Sequence, residues 1–112
     1  MKRKFRLTSS MDFKRVRRSG KSHAHPLVVL VYLPNALHKS RFGISAGRYV
    51  GNAVCRNRAK RQIRESIRPL ISTISPGWDI VLIARSDITK ATFNQIESAI
   101  HSLLERADLL NN

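Results

Sequence analysis

The sequence predicts an α+β fold, a sandwich with the element order α-β-β-α-β-α in which helices pack against one mixed sheet. Two observations predict it: two apolar runs and one segment of alternating polarity have the length and composition of strands, and three segments place apolar residues at helical spacing. The length of 112 residues favours a single domain covering residues 1–112, and the apolar content of 42% is sufficient for its core.

A short helix is predicted near the start of the chain, through the stretch MDFKRVRRS. Ser9 or Ser10 can cap its first turn, because a serine hydroxyl accepts a hydrogen bond from a free backbone amide there. Phe13 and Val16 lie three positions apart and therefore share the face that turns inward. The glycine that follows the stretch ends the helix.

Three strands are predicted. LVVLVYL at 27–33 is rich in valine and typical of a central strand covered on both faces. RFGISAG at 41–47 alternates in polarity, and the polar loop 34–40 favours an antiparallel hairpin between these two strands. WDIVLIAR at 78–85 follows a Pro-Gly turn and is predicted to be a second buried strand. The strand-helix-strand unit from 41 to 85 is therefore expected to be a parallel crossover.

The central helix is predicted from Asn52 to about residue 70. One arc is apolar and carries Cys55, Ala59, Ile63, Ile67 and Leu70. The opposite side is polar and basic and carries Asn57, Lys60, Arg61, Arg64 and Arg68. Arg56 falls toward the apolar arc, which indicates either an irregular first turn or a side chain that reaches round the helix end. Cys55 is the only cysteine, so an internal disulfide is excluded and a small buried residue is expected.

The last helix is predicted to begin after Thr89, a residue type suited to a cap. Its apolar residues follow helical spacing and are Phe93, Ile96, Ile100, Leu103, Leu104 and Ala107.

The charge balance is abnormal for a chain of this size. There are 21 Lys and Arg against 7 Asp and Glu, a net charge of +14. Residues 1–68 carry a net charge of +16, whereas residues 69–112 carry −2. Such self-repulsion favours a polyanionic partner that binds the first two thirds of the chain.

No membrane partner is expected, because the sequence contains neither a lipidation signal nor an apolar segment of spanning length. The opening MKRKFRL lacks the apolar run and cleavage site of a secretory signal, so a cytoplasmic location is expected.

The basic face of the central helix has two interpretations, a solvated surface or a nucleic-acid site. Like charges three and four positions apart repel, and a face selected for solubility would mix signs, which favours the nucleic-acid site. Arg outnumbers Lys by 14 to 7, as suits bidentate contacts to phosphate. DNA is disfavoured because no helix-turn-helix spacing surrounds this helix, although composition alone leaves RNA and DNA open.

Catalysis by the protein itself has little support. The basic region contains only Asp12 and Glu65 as carboxylates, too few for a metal nuclease. His23 and His25 would share one strand face, but tetrahedral metal sites need a third and usually a fourth ligand, so a structural or surface role is expected. No catalytic residue and no metal ligand is therefore predicted.

The stretch GNAVCRNRAKRQIRES at 51–66 resembles the signature of the bacterial ribonuclease P protein component. That signature is Gly-Asn-x-Val-x-Arg-Asn-x-x-Lys-Arg-x-x-Arg-Glu, and every specified position matches. The opening RLTSSMDFKRVRRSGKS, the WDIVLIAR strand and the closing helix are similar to the same family. The resemblance covers nearly the whole chain.

The resemblance implies a ribosomal-protein-S5-domain-2-like fold with a rare left-handed βαβ crossover. It also implies an accessory subunit of an endoribonuclease, in which the large RNA subunit performs the Mg²⁺-dependent hydrolysis that removes the 5′ leader from precursor tRNA. The protein would bind no cofactor of its own and would act as a monomer in a 1:1 ribonucleoprotein. The alternative is a ribosomal or other structural RNA-binding protein with no processing role.

The resemblance assigns two groups of binding residues. Those expected to bind the catalytic RNA are Arg56, Asn57, Arg58, Lys60, Arg61, Arg64 and Arg68. Those expected to bind the leader, in a cleft between the first helix and the sheet, are Phe13, Arg17, Tyr32 and Arg48. The chain departs from the family in this cleft. Arg17 replaces a common second aromatic, Val31 or Tyr32 supplies the strand position according to register, and Arg48 and Tyr49 replace paired lysines.

Overall fold

The computed structural model describes residues 2–111 and contains one four-stranded sheet and three α-helices. The strands are β1 (Lys21–Ala24), β2 (Val28–Pro34), β3 (Arg41–Ala46) and β4 (Trp78–Ala84). The helices are α1 (Ser10–Ser19), α2 (Ala53–Ile67) and α3 (Phe93–Arg106). The strand order across the sheet is β1-β2-β4-β3. The predicted α+β class with one mixed sheet is confirmed.

The pairing of β4 corrects one prediction. β4 is antiparallel to β2 and parallel to β3, so the parallel crossover from β3 through α2 to β4 is confirmed. The left-handedness of this crossover, which the resemblance implies, stays a prediction. The predicted hairpin of β2 with β3 is wrong, because β4 lies between them. β4 is buried along most of its length, and a central position gives its backbone hydrogen-bonding partners on both edges.

Strand β1 was not predicted. Its sequence KSHA is short, and three of its four residues are exposed, so no apolar alternation marks it as a strand. It pairs antiparallel with β2 and forms one edge of the sheet.

The two faces of the sheet have separate cores. Helices α2 and α3 contribute to the larger core, which includes Phe42, Ile63, Leu82 and Ile100. Helix α1 covers the other face, where Val16 is fully buried in a small cluster with Leu7, Val31 and Val81. The face that carries α1 is therefore the more thinly covered of the two.

The caps fix where the helices begin. Ser9, one of the two predicted caps of α1, accepts a hydrogen bond from the backbone amide of Asp12. The cap of α3 is Thr92 and not the predicted Thr89, which lies in a separate 3₁₀-helix (Ser86–Lys90). Thr92 and Gln95 exchange side-chain to backbone hydrogen bonds of 2.9 and 3.2 Å, and this reciprocal pair defines the helix start.

One smaller prediction of burial is corrected. Cys55 is only half-buried, because it lies in the first turn of α2. Phe93 opens α3 and is 38% exposed, and Ala107 follows the helix end and is half-buried. Across residues 2–111, no helix combines the length and the apolarity that crossing a membrane requires.

Candidate nucleic-acid interface

Helix α2 presents the predicted basic residues on a firmly anchored element. Asn52 caps the helix by accepting a hydrogen bond of 3.0 Å from the amide of Cys55. Ala59, Ile63 and Ile67 are buried and fix the inward face. Four of the predicted RNA-binding residues are exposed, namely Asn57, Arg58, Arg61 and Arg68. The other three are half-buried, namely Arg56, Lys60 and Arg64.

These cations have few acidic partners. Within the described residues, only Arg68 among them forms a salt bridge, with Glu65 at 2.7 Å. The Nε atoms of Arg56 and Arg64 are buried and have no hydrogen-bond partner among residues 2–111. A face with so little internal compensation retains its positive field for an external anion.

The two predicted binding surfaces meet at the edge of β3. Phe13 of α1 and the α2 cations Lys60 and Arg64 line one pocket of about 150 Å³, together with Arg6 and Ile44. An aromatic ring and three cations thus share a single concave site. Such a combination suits a nucleotide, which has a flat base and a charged phosphate.

The Phe13 ring lies directly on the strand. A Cβ atom added to Gly43 would lie 2.5 Å from the Cζ atom of Phe13, so only glycine allows this approach. The ring packs against the small core beneath α1 and is itself only partly buried. Phe13 therefore combines a packed edge with an accessible surface.

A buried charge cluster joins α1 to the strands. Asp79 of β4 has no exposed surface. Its carboxylate accepts hydrogen bonds from Arg15 of α1, from Arg41 of β3 and from Asn35 in the loop between β2 and β3. The Arg41 bonds measure 2.9 and 2.8 Å and are bidentate. Burial by itself would raise the pKa of Asp79, but these hydrogen bonds outweigh it and hold the pKa below its usual value.

The lowered pKa of Asp79 predicts a loss of stability in acid. A carboxyl group whose folded pKa is depressed stabilises the fold above its unfolded pKa, and this contribution is lost as pH falls through the folded value. The free energy of unfolding should therefore decline from about pH 4 downward. Urea denaturation of the wild type and of Asp79→Asn between about pH 6 and pH 3 measures this decline. The free energy of unfolding of the variant should fall less than that of the wild type, and equal declines would contradict the assignment.

A family comparison identifies the chain. The model of the family described as Ribonuclease P matches residues 1–108. The chain belongs to the ribonuclease P protein family. The resemblance carried by residues 51–66 is confirmed, and membership implies partnership with ribonuclease P RNA.

Individual ribonuclease P proteins agree with this assignment. The chain is 43% identical over 109 residues to the ribonuclease P protein component of Herpetosiphon aurantiacus, covering 97% of this chain and 89% of that protein. It is 41% identical to that of Clostridium novyi, covering 99% and 100%. The RNase P protein structures from Staphylococcus aureus and Thermotoga maritima match with TM-scores of 0.88 and 0.82 at 34% and 32% identity. They cover 96% and 90% of this chain, and the match includes 98% and 96% of those chains.

The structure separates one predicted leader residue of this ribonuclease P family member from the others. Tyr32 is 8% exposed and belongs to the core beneath α2 and α3. Its ring stacks on that of His23, with 5.8 Å between the ring centroids, and contacts the Trp78 ring edge to face. Val31 lies beneath α1 instead. Placing Tyr32 in a cleft beside Phe13 was wrong, because neighbouring strand residues face opposite sides of the sheet.

The binding of the leader by Arg17 and Arg48 stays a prediction. Both side chains are exposed, Arg17 one turn after Phe13 on α1 and Arg48 in the 3₁₀-helix Arg48–Val50 that follows β3.

The neighbouring Tyr49 was not predicted as a binding residue. Its ring is 58% exposed, its hydroxyl donates to the carbonyl oxygen of Ala84 at 2.8 Å, and a Cβ on Gly47 would clash with it. No periodic signal in the sequence marks such an anchored surface ring.

The two histidines of the His-x-His stretch serve separate structural contacts. His23 stacks on Tyr32, whereas His25 Nδ1 accepts a hydrogen bond of 3.1 Å from the amide of Leu27. Among residues 2–111, no three His, Cys, Asp or Glu side chains come together as a potential metal site.

Proposed function

We propose that this chain is the protein subunit of ribonuclease P, which binds the catalytic RNA and the 5′ leader of precursor tRNA and assists removal of the leader. The observation that carries the proposal is the α2 face: within the described residues its cations form no salt bridge apart from Arg68 with Glu65, and Lys60 and Arg64 line the Phe13 pocket. The hydrolytic site and its Mg²⁺ ions belong to the RNA subunit. The protein acts in the cytoplasm as a monomer within a 1:1 ribonucleoprotein.

Helix α2 binds the catalytic RNA through its phosphates. The exposed Arg58 and Arg61 present guanidinium groups that can each grip a phosphate in bidentate fashion. The half-buried Arg56 and Arg64 lose less side-chain freedom on binding, because their stems already lie against the protein. Assembly with the RNA therefore draws on both flexible and preorganised cations.

The leader binds on the α1 side of the sheet. A single-stranded segment offers bases that are free to stack, and the accessible surface of Phe13 provides an aromatic platform for one of them. Arg17 and Arg48 supply charge for the leader backbone. Because Lys60 and Arg64 of α2 line the same pocket as Phe13, a leader bound there would lie beside the catalytic RNA.

Reconstituted cleavage tests this function against a purely structural RNA-binding role. At low Mg²⁺, precursor tRNA and ribonuclease P RNA should react faster when the protein is added, because its cations offset repulsion between the two RNAs. Purification of the protein from cells should recover ribonuclease P RNA. Recovery of ribosomal RNA without any effect on cleavage would support the ribosomal alternative, which the comparisons do not favour.

The salt dependence of RNA binding should identify the phosphate contacts. The logarithm of the affinity for ribonuclease P RNA should fall with the logarithm of salt concentration by roughly 0.7 to 0.9 per phosphate contact. Arg61→Ala should flatten this slope by about one contact, because Arg61 is exposed on the α2 face. Lys90→Ala, which removes an exposed charge outside that face, is the matched control and should keep the wild-type slope. Equal slopes for the two variants would place the RNA surface elsewhere.

A further inference from the structure

A second cavity lies on the other side of Phe42, at the start of β3. Its volume is about 570 Å³, it opens to solvent, and it is lined by residues of the 3₁₀-helix Arg3–Phe5, the loop before β3 and the 3₁₀-helix Arg68–Thr73 that follows α2. Its walls are largely apolar and comprise Phe5, Phe42, Ile71, Ile74 and Pro76. The predicted leader residues Phe13, Arg17 and Arg48 do not line it. The cavity is therefore distinct from the pocket between α1 and α2.

The polar lining of this cavity is entirely cationic or neutral. Lys2, His38, Lys39 and Arg68 contribute basic groups, and no carboxylate lines the cavity within the described residues. Arg68 is paired with Glu65, but that pair is on the surface, with side chains 56% and 44% exposed. An exposed pair is weak, so a phosphate can replace its acidic partner. The charge of the cavity therefore fits an anionic ligand with an apolar part.

Hydrogen bonds within the chain hold the cavity walls in place. The Ser40 hydroxyl donates to the carbonyl oxygen of Ser75 at 2.7 Å and accepts from the amide of Trp78 at 3.1 Å. Asn35 ties the preceding part of the same loop to the buried Asp79. These contacts hold the segment that carries His38 and Lys39, so little ordering is needed on binding.

We propose that this cavity holds an unstacked base of ribonuclease P RNA, with neighbouring phosphates on Lys39 and Arg68. The inference rests on the proposed binding of that RNA to α2. Arg68 belongs both to the basic residues at the end of α2 and to the cavity lining, so an RNA strand that follows α2 reaches the cavity directly. The partly buried Phe5 ring and the aliphatic walls suit a flat base, and single-stranded RNA commonly inserts such bases into apolar pockets.

Two serine substitutions with the same change in charge test the site. Ser72 is exposed and lines the cavity, so Ser72→Glu places a carboxylate at its mouth. Ser98→Glu makes the same change at an exposed position of α3 that does not line this cavity. Affinity for ribonuclease P RNA should fall about tenfold more for Ser72→Glu than for Ser98→Glu, in keeping with the loss of one bound base. Equal affinities would overturn the proposal.

Chemical probing of base edges in the RNA identifies the ligand. Wild-type protein should protect at least one unpaired base from modification. Ser72→Glu should leave this base reactive, whereas Ser98→Glu should protect it as the wild type does. Lys39→Ala alters an exposed residue and should also weaken binding of ribonuclease P RNA. It therefore tests the cavity by a second route if Ser72→Glu does not fold. Circular dichroism confirms that each variant is folded.

The remaining outcomes separate this proposal from the proposed function. Loss of affinity for precursor tRNA with unchanged affinity for ribonuclease P RNA would assign the cavity to the substrate and overturn the inference. A change in the monomer to dimer ratio without any change in RNA affinity would assign it to a second copy of the chain and also overturn it. If Arg61→Ala leaves RNA affinity intact, the proposed α2 surface fails, whereas the Ser72 comparison reports on the cavity independently.

Discussion

Replacement of Asp79 by asparagine should lower the free energy of unfolding by about 3 kcal/mol. Removing one member of a buried ion pair strands the other charge and costs about 3–5 kcal/mol. The lower end applies here because the side chains of Arg15 and Arg41 are 41% and 24% exposed and keep contact with water. Asparagine preserves the shape of the side chain, so the loss reports the charge and its hydrogen bonds rather than a cavity.

Urea denaturation near neutral pH measures this effect. Asp87→Asn is the matched control, because it makes the same chemical change at an exposed position. We expect the control to change the free energy of unfolding by less than about 0.5 kcal/mol, as is usual for exposed sites. Comparable values for the two variants would mean that the Asp79 cluster does not stabilise the fold.

The Asp79 cluster also bears on the RNA surface. Arg15 comes from the same helix as Phe13 and lies two residues further along it, so the ion pair to β4 fixes α1 above the sheet. Phe13 reaches its position over Gly43 only when α1 is held in this place. Asp79, a carboxylate within the buried strand β4, thus has a positioning role for α1.

The elements that could be predicted from the sequence are those with a local signal. α3 has a clean helical repeat, and the apolar runs of β2 and β4 identify them as buried strands. The basic face of α2 could also be predicted, because a single continuous stretch carries both the charges and the family signature.

The errors in strand pairing and in side-chain contacts concern features that depend on distant partners. β1 is polar and becomes a strand only because β2 offers it a free edge. β4 rather than β3 takes the position next to β2, where both of its edges are paired. The polar loop between β2 and β3 carries no information about this order. Arg15 and Asp79 are 64 positions apart, so their contact had no signal in the spacing of nearby residues.

Truncation of Phe13 to alanine should weaken binding of precursor tRNA while leaving binding of mature tRNA unchanged. Loss of a stacked base costs about 1–3 kcal/mol, equivalent to roughly 5- to 150-fold in affinity. The loss of stability should be below the 3–5 kcal/mol of a fully buried phenylalanine, because the ring is only partly buried. The measurement is the ratio of precursor to mature tRNA affinities for the holoenzyme, at protein concentrations that saturate the RNA subunit.

Two further variants separate stacking from packing and from assembly. Phe13→Leu keeps an apolar side chain above Gly43 but removes the aromatic face, so it should lose most of the precursor preference while remaining close to wild type in stability. Arg61→Ala should weaken assembly with ribonuclease P RNA yet preserve the precursor to mature ratio once the complex is saturated, because its side chain lies on the exposed face of α2. If Phe13→Leu retains the full preference, the ring acts only in packing, and leader binding would depend on Arg17 and Arg48 instead.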